Sequence, residues 1–557
     1  MRSHKLLFFG LALAACAPAR VSPPAPQAPP SPAQTPASVP VVTPPAKPAP
    51  PAAPSAPVAM KVPERWWMLD REKNGVSGAA VDRAYAELLK DKRPARTVVV
   101  AIIDSGVDTT HADLRANLWT NAREIAGNGK DDDNNGYIDD VHGWDFIGGA
   151  GGDIDKDTYE VTRMFARCLA GGAAPTGVSC DEVKAEYGQK RAETESQIDQ
   201  MRSMDAAVSN VMAVLKKEVA PDTLSEARVA ALRPLRKEVA QAQQLYLQLA
   251  ANNITPVMVK EELKRLQGDL EYGLNPDFNP RPKVGDNYEN VDERKYGNNS
   301  VVGPDASHGT GVAGIIGAIR DNGIGVDGIA PAVKLMVVRT VPDGDERDKD
   351  VANAIRYATD NGANIINMSF GKGLSPYKSA VDDAVRYADS KGVLLVHAAG
   401  NEGADLESSR NYPNRSYLNG GMAMNWIEVG ASAWKGDEGL AAEYSNYGRT
   451  KVDLFAPGSD IKSTAPGGSY EAHSGTSFSA PVVSGVAALI MAYYPTLNAT
   501  EVRKVILESA TPLKDTLVTL PGSDTTIKFG QLSATGAVVN AYNALKLAAQ
   551  IAASRMN

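Results

Sequence analysis

Thr97-Val98-Val99-Val100-Ala101-Ile102-Ile103-Asp104-Ser105-Gly106 is apolar from Val98 up to its aspartate and rich in β-branched side chains. A strand with one wet face would alternate, so the unbroken apolar run predicts a central parallel strand covered by helices on both sides. Further strands are expected at residues 333–340, 363–369, 393–399, 427–431 and 452–455, and helices at 81–89, 351–359, 380–388, 478–494, 499–509 and 537–552. Strands alternating with helices make a doubly wound α/β fold with a mostly parallel sheet. Chemistry in such sheets gathers at the carboxyl ends of the strands, and Asp104 closes the first of them. An aspartate before a Gly turn is also an ordinary turn residue, so its meaning depends on what else the chain supplies.

Gly475-Thr476-Ser477-Phe478-Ser479-Ala480-Pro481 leads into the small, apolar run Val482-Val483-Ser484-Gly485-Val486-Ala487-Ala488-Leu489. Small residues and an early proline read as a tight turn opening a buried helix, because proline is tolerated in a first helical turn. Ser477 then sits at a helix N-terminus, where free N–H groups and the helix dipole favour the oxyanion formed when a serine attacks a carbonyl. In isolation the triplet is an ordinary Ser/Thr cap.

The chain has six histidines. His308, in Ser307-His308-Gly309-Thr310-Gly311-Val312-Ala313-Gly314, precedes a small-residue helix able to pack closely on a sheet. His397 follows an apolar strand and reads as a core histidine, and His111, His142 and His473 have no such helix behind them. Asp104, His308 and Ser477 are what acyl transfer requires: a hydroxyl, a base to take its proton, and a carboxylate to orient that base.

The chain order Asp, His, Ser, with Asp-Ser-Gly, His-Gly-Thr and Gly-Thr-Ser around them, resembles the subtilisin-like serine proteases, the subtilases, over roughly residues 66–552 apart from one insertion. The resemblance implies a serine endopeptidase acting on polypeptides: Ser477 as nucleophile, His308 as general base and acid, Asp104 as orienter. Ala398-Ala399-Gly400-Asn401 matches the family's oxyanion stretch, which makes Asn401 a donor to the oxyanion. Ser369-Phe370-Gly371 matches the edge that pairs with extended substrate backbone, a mode tolerant of sequence. Asp113, Asn322, Ile324 and Val326 resemble a stabilising calcium site of the family, two through side-chain oxygens and two through carbonyls. Gly311 stands where the family often has a second histidine, outside the triad. Competing readings are a catalytically silent binding module that works through the insertion, and a serine esterase.

A second calcium loop is read from Asp131, Asp133, Asn135 and Asp139, which follow an EF-hand-like spacing, although its twelfth position is His142 instead of a bidentate glutamate. Residues 120–305 break the α/β rhythm and read as a mainly helical insertion. Met201, Met204, Val208, Val211 and Leu215 step by three and four, as do Leu232, Leu235, Val239, Ala242, Tyr246 and Leu249. They predict an antiparallel helical hairpin turning near Pro221, with Pro234 kinking or starting its second helix and a short third helix after Pro256.

The N-terminus reads as an export signal: Arg2, His4 and Lys5, an apolar run at 6–13, then Leu13-Ala14-Ala15-Cys16. This resembles the lipobox of bacterial lipoproteins, so residues 1–15 are expected to leave and Cys16 to carry lipid. Residues 16–63 are mostly Pro, Ala, Ser and Val and form a semi-rigid tether ahead of a catalytic domain at 64–557, with no stretch the size of an inhibitory pro-domain between them. The apolar run is too short to span a bilayer and no other stretch is expected to be long enough. The expectation is an exported lipoprotein held by its lipid, with Ala17 favouring the outer membrane. Cys168 and Cys180 remain, and an exported protein pairs such cysteines most naturally, although a reduced pair stays open. A formal charge of −8 gives no electrostatic reason to expect a nucleic-acid partner.

Overall fold

The structure, a computed structural model, describes residues 62–219, 224–252 and 254–555. The export signal, Cys16, nearly all of the tether and Pro221 lie outside those residues.

Along the chain the strands are β1 Val98–Asp104, β2 Gly143–Asp145, β3 Val333–Arg339, β4 Ile365–Met368, β5 Leu394–Ala398, β6 Trp426–Lys435, β7 Gly439–Ala441 and β8 Leu454–Pro457. They continue with β9 Ile461–Ala465, β10 Ser469–His473, β11 Thr511–Pro512, β12 Leu517–Thr519, β13 Thr526–Lys528 and β14 Ala537–Val538. One sheet runs β11-β14-β8-β6-β5-β4-β1-β3-β2, with β7 branching from β6. Among the described residues its pairings are parallel except at β11 and β7. The fold is therefore the doubly wound, mostly parallel α/β class.

Alternation along β1 shows why that strand is apolar up to Asp104. Val98, Val100 and Ile102 join one core with the helices Ser307–Gly317 and Thr476–Tyr493, while Ala101 and Ile103 join another with Asp348–Asp360 and Lys378–Ser390. Both faces of β1 are buried, so its positions ahead of Asp104 are apolar. The chain steps from β1 to β3 on one side and places β4 on the other, so the order reverses at β1, and crevices open at such switch points.

Three differences from the sequence expectation stand out. Gly143–Asp145, inside the stretch read as an insertion, is a sheet strand parallel to β3. Residues 537–538 are β14, and the last helix begins only at Ala541. The helix Thr476–Tyr493 is long and apolar enough to cross a membrane, contrary to expectation, but 94% of it is buried inside the protein. It is a core helix packed against one face of the sheet.

The described residues fall into two compact units, 62–206 with 256–555, and 207–255. The second, narrower than the expected insertion, contains the end of the helix Cys180–Glu218 and the helices Glu226–Ala231 and Lys237–Ala251. Val211, Leu215 and Ala242 form its core, as the 3–4 spacing predicts, together with Val229 of the short helix Glu226–Ala231, which that spacing did not include. Leu235 departs from that pattern: it is fully exposed just after Pro234, between two helices, where the missing proline N–H ends the periodicity. Within the first unit, Cys168 and Cys180 are joined in a disulfide that ties Glu160–Leu169 to the start of Cys180–Glu218.

Candidate active site

Asp104 ends β1 at 1% exposure, and its Oδ1 accepts the backbone N–H of Ser105 at 2.7 Å. The same Oδ1 lies 2.7 Å from His308 Nδ1, the position of an N–H donor. His308 begins the helix Ser307–Gly317, which can reach the strand end only because Gly309 has no side chain. A Cβ there would lie 2.1 Å from the Gly106 carbonyl oxygen and 3.2 Å from Asp104 Cβ. Burial pulls the His308 imidazole down, but the Asp104 charge and hydrogen bond outweigh it, and the group titrates above the ordinary histidine value.

Ser477 is the second residue of Thr476–Tyr493 and is 5% exposed. Gly475 ahead of it, at φ 149°, makes the turn in a conformation that L side chains rarely adopt. The next ring, Phe478, packs 5.2 Å from the His308 ring and stacks at 4.7 Å on His473. A Cβ on Gly311 would meet Phe478 at 3.0 Å and His473 at 3.2 Å, so these two rings close over that glycine.

Pro481 sits in the second turn of that helix, later than expected for a proline. Lacking an N–H, it leaves the Ser477 carbonyl four residues back without its helical partner. Ser369 Oγ donates to that carbonyl at 2.8 Å. Ser369 Oγ in turn accepts from Asn367 Nδ2 at 2.9 Å, and Asn367 Oδ1 accepts from Ser484 Oγ at 2.8 Å. This relay ties the turn that bears Ser477 to the end of β4, and Asn367 and Ser484 carry no sequence motif that marks them.

Asn401 Oδ1 accepts from the Thr476 N–H at 2.8 Å and from Thr476 Oγ1 at 3.1 Å. With its oxygen engaged there, the side chain keeps Nδ2 as its donor. Its loop is braced by Asn446, whose Nδ2 donates to the Ala399 carbonyl and to Glu402, and whose Oδ1 accepts from the N–H groups of Glu402 and Ala404. His308, Ser369, Phe370, Gly371 and Asn401 line one open cleft of about 500 Å³.

Arg339, opposite Asp104 in register, donates to Asp145 Oδ2 at 2.8 Å and to the Ser105 carbonyl at 2.8 Å. Burial pushes Asp145 up to about 7 against the opposing Arg339 charge. Sequence reasoning missed this pair because Asp145 ends a strand only three residues long.

The structure brings the first predicted calcium set together and splits the second. Asp113, fully buried, accepts from Asn322 Nδ2 at 2.6 Å and from the Val326 N–H at 3.1 Å, and the Tyr470 hydroxyl donates to it as well. Asn322 Oδ1 accepts from the Ile324 N–H at 3.0 Å. These hydrogen bonds bring the four predicted residues together, and the side-chain oxygens of Asp113 and Asn322 retain free lone pairs. In the second loop Asp139 is consumed by the N–H groups of Gly127, Asn128 and Gly129. Asn135 accepts from the Tyr137 N–H and donates to Asp140, so it too is engaged elsewhere. The residues brought together are Asp131, Asp133 and Glu124, with carboxylate oxygens all within 4.8 Å of one another. Glu124 Oε2 is buried with no hydrogen-bond partner, and burial raises its pKa. Three clustered carboxylates, one of them with a buried oxygen that has no hydrogen-bond partner, fit a hard cation.

A carboxylate-paired histidine beside a serine-bearing helix, at the carboxyl end of a doubly wound sheet, defines an α/β protein of the Asp-His-Ser layout. The chain belongs to the subtilase family, which it matches over residues 95–530. It is 38% identical over 240 residues to the thermophilic serine proteinase of Bacillus sp. strain AK1, covering 43% of this chain and 52% of that one. It is 38% identical over 211 residues to subtilisin BL of Lederbergia lenta, covering 38% of this chain and 72% of that one. Subtilisin E of Bacillus subtilis strain 168 is also 38% identical, over 212 residues, 37% of this chain and 51% of that one. The chain thus spans about half the length of the first and third of these relatives.

Proposed function

We propose that this protein is a serine endopeptidase that cleaves polypeptides through an acyl-enzyme. The observation that carries the reading is the 2.7 Å contact between Asp104 and His308 at the mouth of the cleft, beside the helix Thr476–Tyr493 that carries Ser477 in its first turn. Ser477 Oγ attacks the scissile carbonyl while His308 Nε2 takes its proton. The Asp104 charge stabilises the imidazolium, which then returns the proton to the leaving amine. The oxyanion forms at the helix N-terminus, with Asn401 Nδ2 as the added donor; losing one such donor costs about 3 to 4 kcal/mol. An extended substrate pairs with Ser369-Phe370-Gly371 as an added strand.

Glu124, Asp131 and Asp133 would hold a structural calcium ion, which supplies charge neutralisation to a loop remote from the chemistry. Cys16 carries the lipid that anchors an exported protein to a membrane, the outer membrane by its following alanine, with residues 16–63 as the tether. Incorporation of labelled palmitate that disappears in Cys16→Ala tests the anchor.

The test of the activity is digestion of denatured casein by wild type and Ser477→Ala. Cleavage that falls by at least about 10³-fold in the variant is expected, as when a triad member is lost. Intact casein under both conditions would return the protein to the silent-module reading, and hydrolysis confined to small esters would make it an esterase.

A further inference from the structure

We propose that the cleft beside the Asp104–His308 pair selects polypeptides with a lysine or arginine close to the scissile bond, and that Glu346 on the cleft floor pairs with that cation. This rests on the endopeptidase reading and adds the substrate class to it.

The cleft is walled on one side by the substrate edge Ser369-Phe370-Gly371 and on the other by the segment that follows β3. Asp155, Asp305, Asp343 and Glu346 all line it. The cations that share the lining are His308, paired with Asp104, and Arg339, whose guanidinium is held by Asp145 and the Ser105 carbonyl. The lining therefore carries excess negative charge, and a cleft of one sign concentrates ligands of the other.

Glu346 is the decisive residue. It is 2% exposed, yet Oε1 has no hydrogen-bond partner. Lys372 faces it, but that ammonium is engaged by Glu160 Oε2 at 2.7 Å, Asp348 Oδ1 at 2.9 Å and the Glu346 carbonyl at 2.7 Å. Asp345 and Asp348 add negative charge around it. Burial above all, with those two carboxylates and against Lys372, pushes its carboxyl up to about 8. A buried carboxyl facing a cleft without a cation of its own is costly to ionise, and an arriving ammonium or guanidinium removes that cost. Phe370, 9% exposed in the same lining, offers an apolar surface for the methylene stem of such a side chain. Asp343, exposed and hydrogen-bonded to the Tyr272 hydroxyl, and Asp155 beside it would meet the cation at the entrance.

The experiment is a peptide library with lysine, arginine, norleucine or glutamine at each position within three residues of the cut, read as ratios of kcat/KM within each protein. Labelling by a fluorophosphonate is measured in parallel on every sample. Wild type should prefer lysine or arginine over norleucine at one position by about tenfold or more, the scale of a charge-assisted hydrogen bond. That ratio should fall below about threefold in Glu346→Gln and partly in Asp343→Asn, a surface change that keeps the test alive if the buried variant misfolds. Added salt should shrink the wild-type ratio as charges are screened. A labelled wild type that cuts neutral and basic peptides equally at every position overturns the proposal and leaves the endopeptidase reading standing. A preference untouched in both variants overturns the assignment to Glu346, and a protein neither labelled nor cutting any peptide removes both readings.

Discussion

Gly309→Ala should slow catalysis while making the protein less stable. In a helix interior this change ordinarily stabilises, by about 0.5 to 1 kcal/mol. Here the new Cβ would stand 2.1 Å from the Gly106 carbonyl oxygen. The normal carbon–oxygen approach is about 3.3 Å, so the helix Ser307–Gly317 must retreat by roughly 1.2 Å from the end of β1. Overpacking of that kind costs about 1 to 3 kcal/mol, which reverses the usual sign. His308 is the preceding residue and moves with the helix, and a displacement of about 1 Å at a reacting group costs on the order of 10²-fold in rate. The assay is the rate of Ser477 acylation by a fluorophosphonate together with urea unfolding of both proteins. A variant that acylates at the wild-type rate and unfolds at higher urea would refute the idea that close packing on β1 positions the base.

Asp104→Asn should lower kcat by about 10⁴, the scale seen when a triad histidine loses its orienting charge. The folded His308 pKa is raised, so its pairing with Asp104 stabilises the protein fully below the unfolded value near 6.5 and is lost as pH rises through the folded value. Activity needs the neutral imidazole, so the acidic limb of the wild-type kcat/KM profile should lie above about 6.5 and shift downward in Asp104→Asn. Lys372→Met should cost about 3 to 5 kcal/mol by denaturant unfolding, because Glu160 and Asp348 lose the buried ammonium between them. Burial raises the Glu160 pKa, but Arg163 and Lys372 outweigh it and hold the group at about 2. Its contribution should therefore be complete above about pH 4.3 and vanish as pH falls toward 2. Calcium at a hundred times its dissociation constant should stabilise the wild type by about 2.7 kcal/mol and Glu124→Gln by clearly less, read as melting temperature with and without chelator. Equal shifts in the two proteins would remove Glu124 from the metal site.

The parts legible from sequence are those with a strong local signal. β1 showed itself because both faces are buried, and Asp104, His308 and Ser477 because each sits at the end of a sheet strand or the start of a core helix whose composition is unmistakable. Gly143–Asp145 did not, since three residues carry no periodicity. The helix Cys180–Glu218 was foreseen only in its second half: its first half buries Val183 and Tyr187 and then no large apolar side chain before Ile198, too sparse a pattern to read. Glu124 lies seven positions before Asp131, outside any loop template, and only the fold brings it there. Asp139 and Asn135 matched the template, yet backbone N–H groups and neighbouring side chains claimed them first, a competition that spacing cannot reveal. Ser369 was named as a substrate-pairing residue, but its hydroxyl also answers the carbonyl that Pro481 leaves free.

The reading of the site depends on Asp104, His308 and Ser477 working as one unit, and the most direct probe is mass spectrometry of the protein after reaction with diisopropyl fluorophosphate. A single phosphoryl adduct should appear on Ser477 and be absent from His308→Ala treated alike. An adduct on another residue, or undiminished labelling of Ser477 without His308, would contradict it.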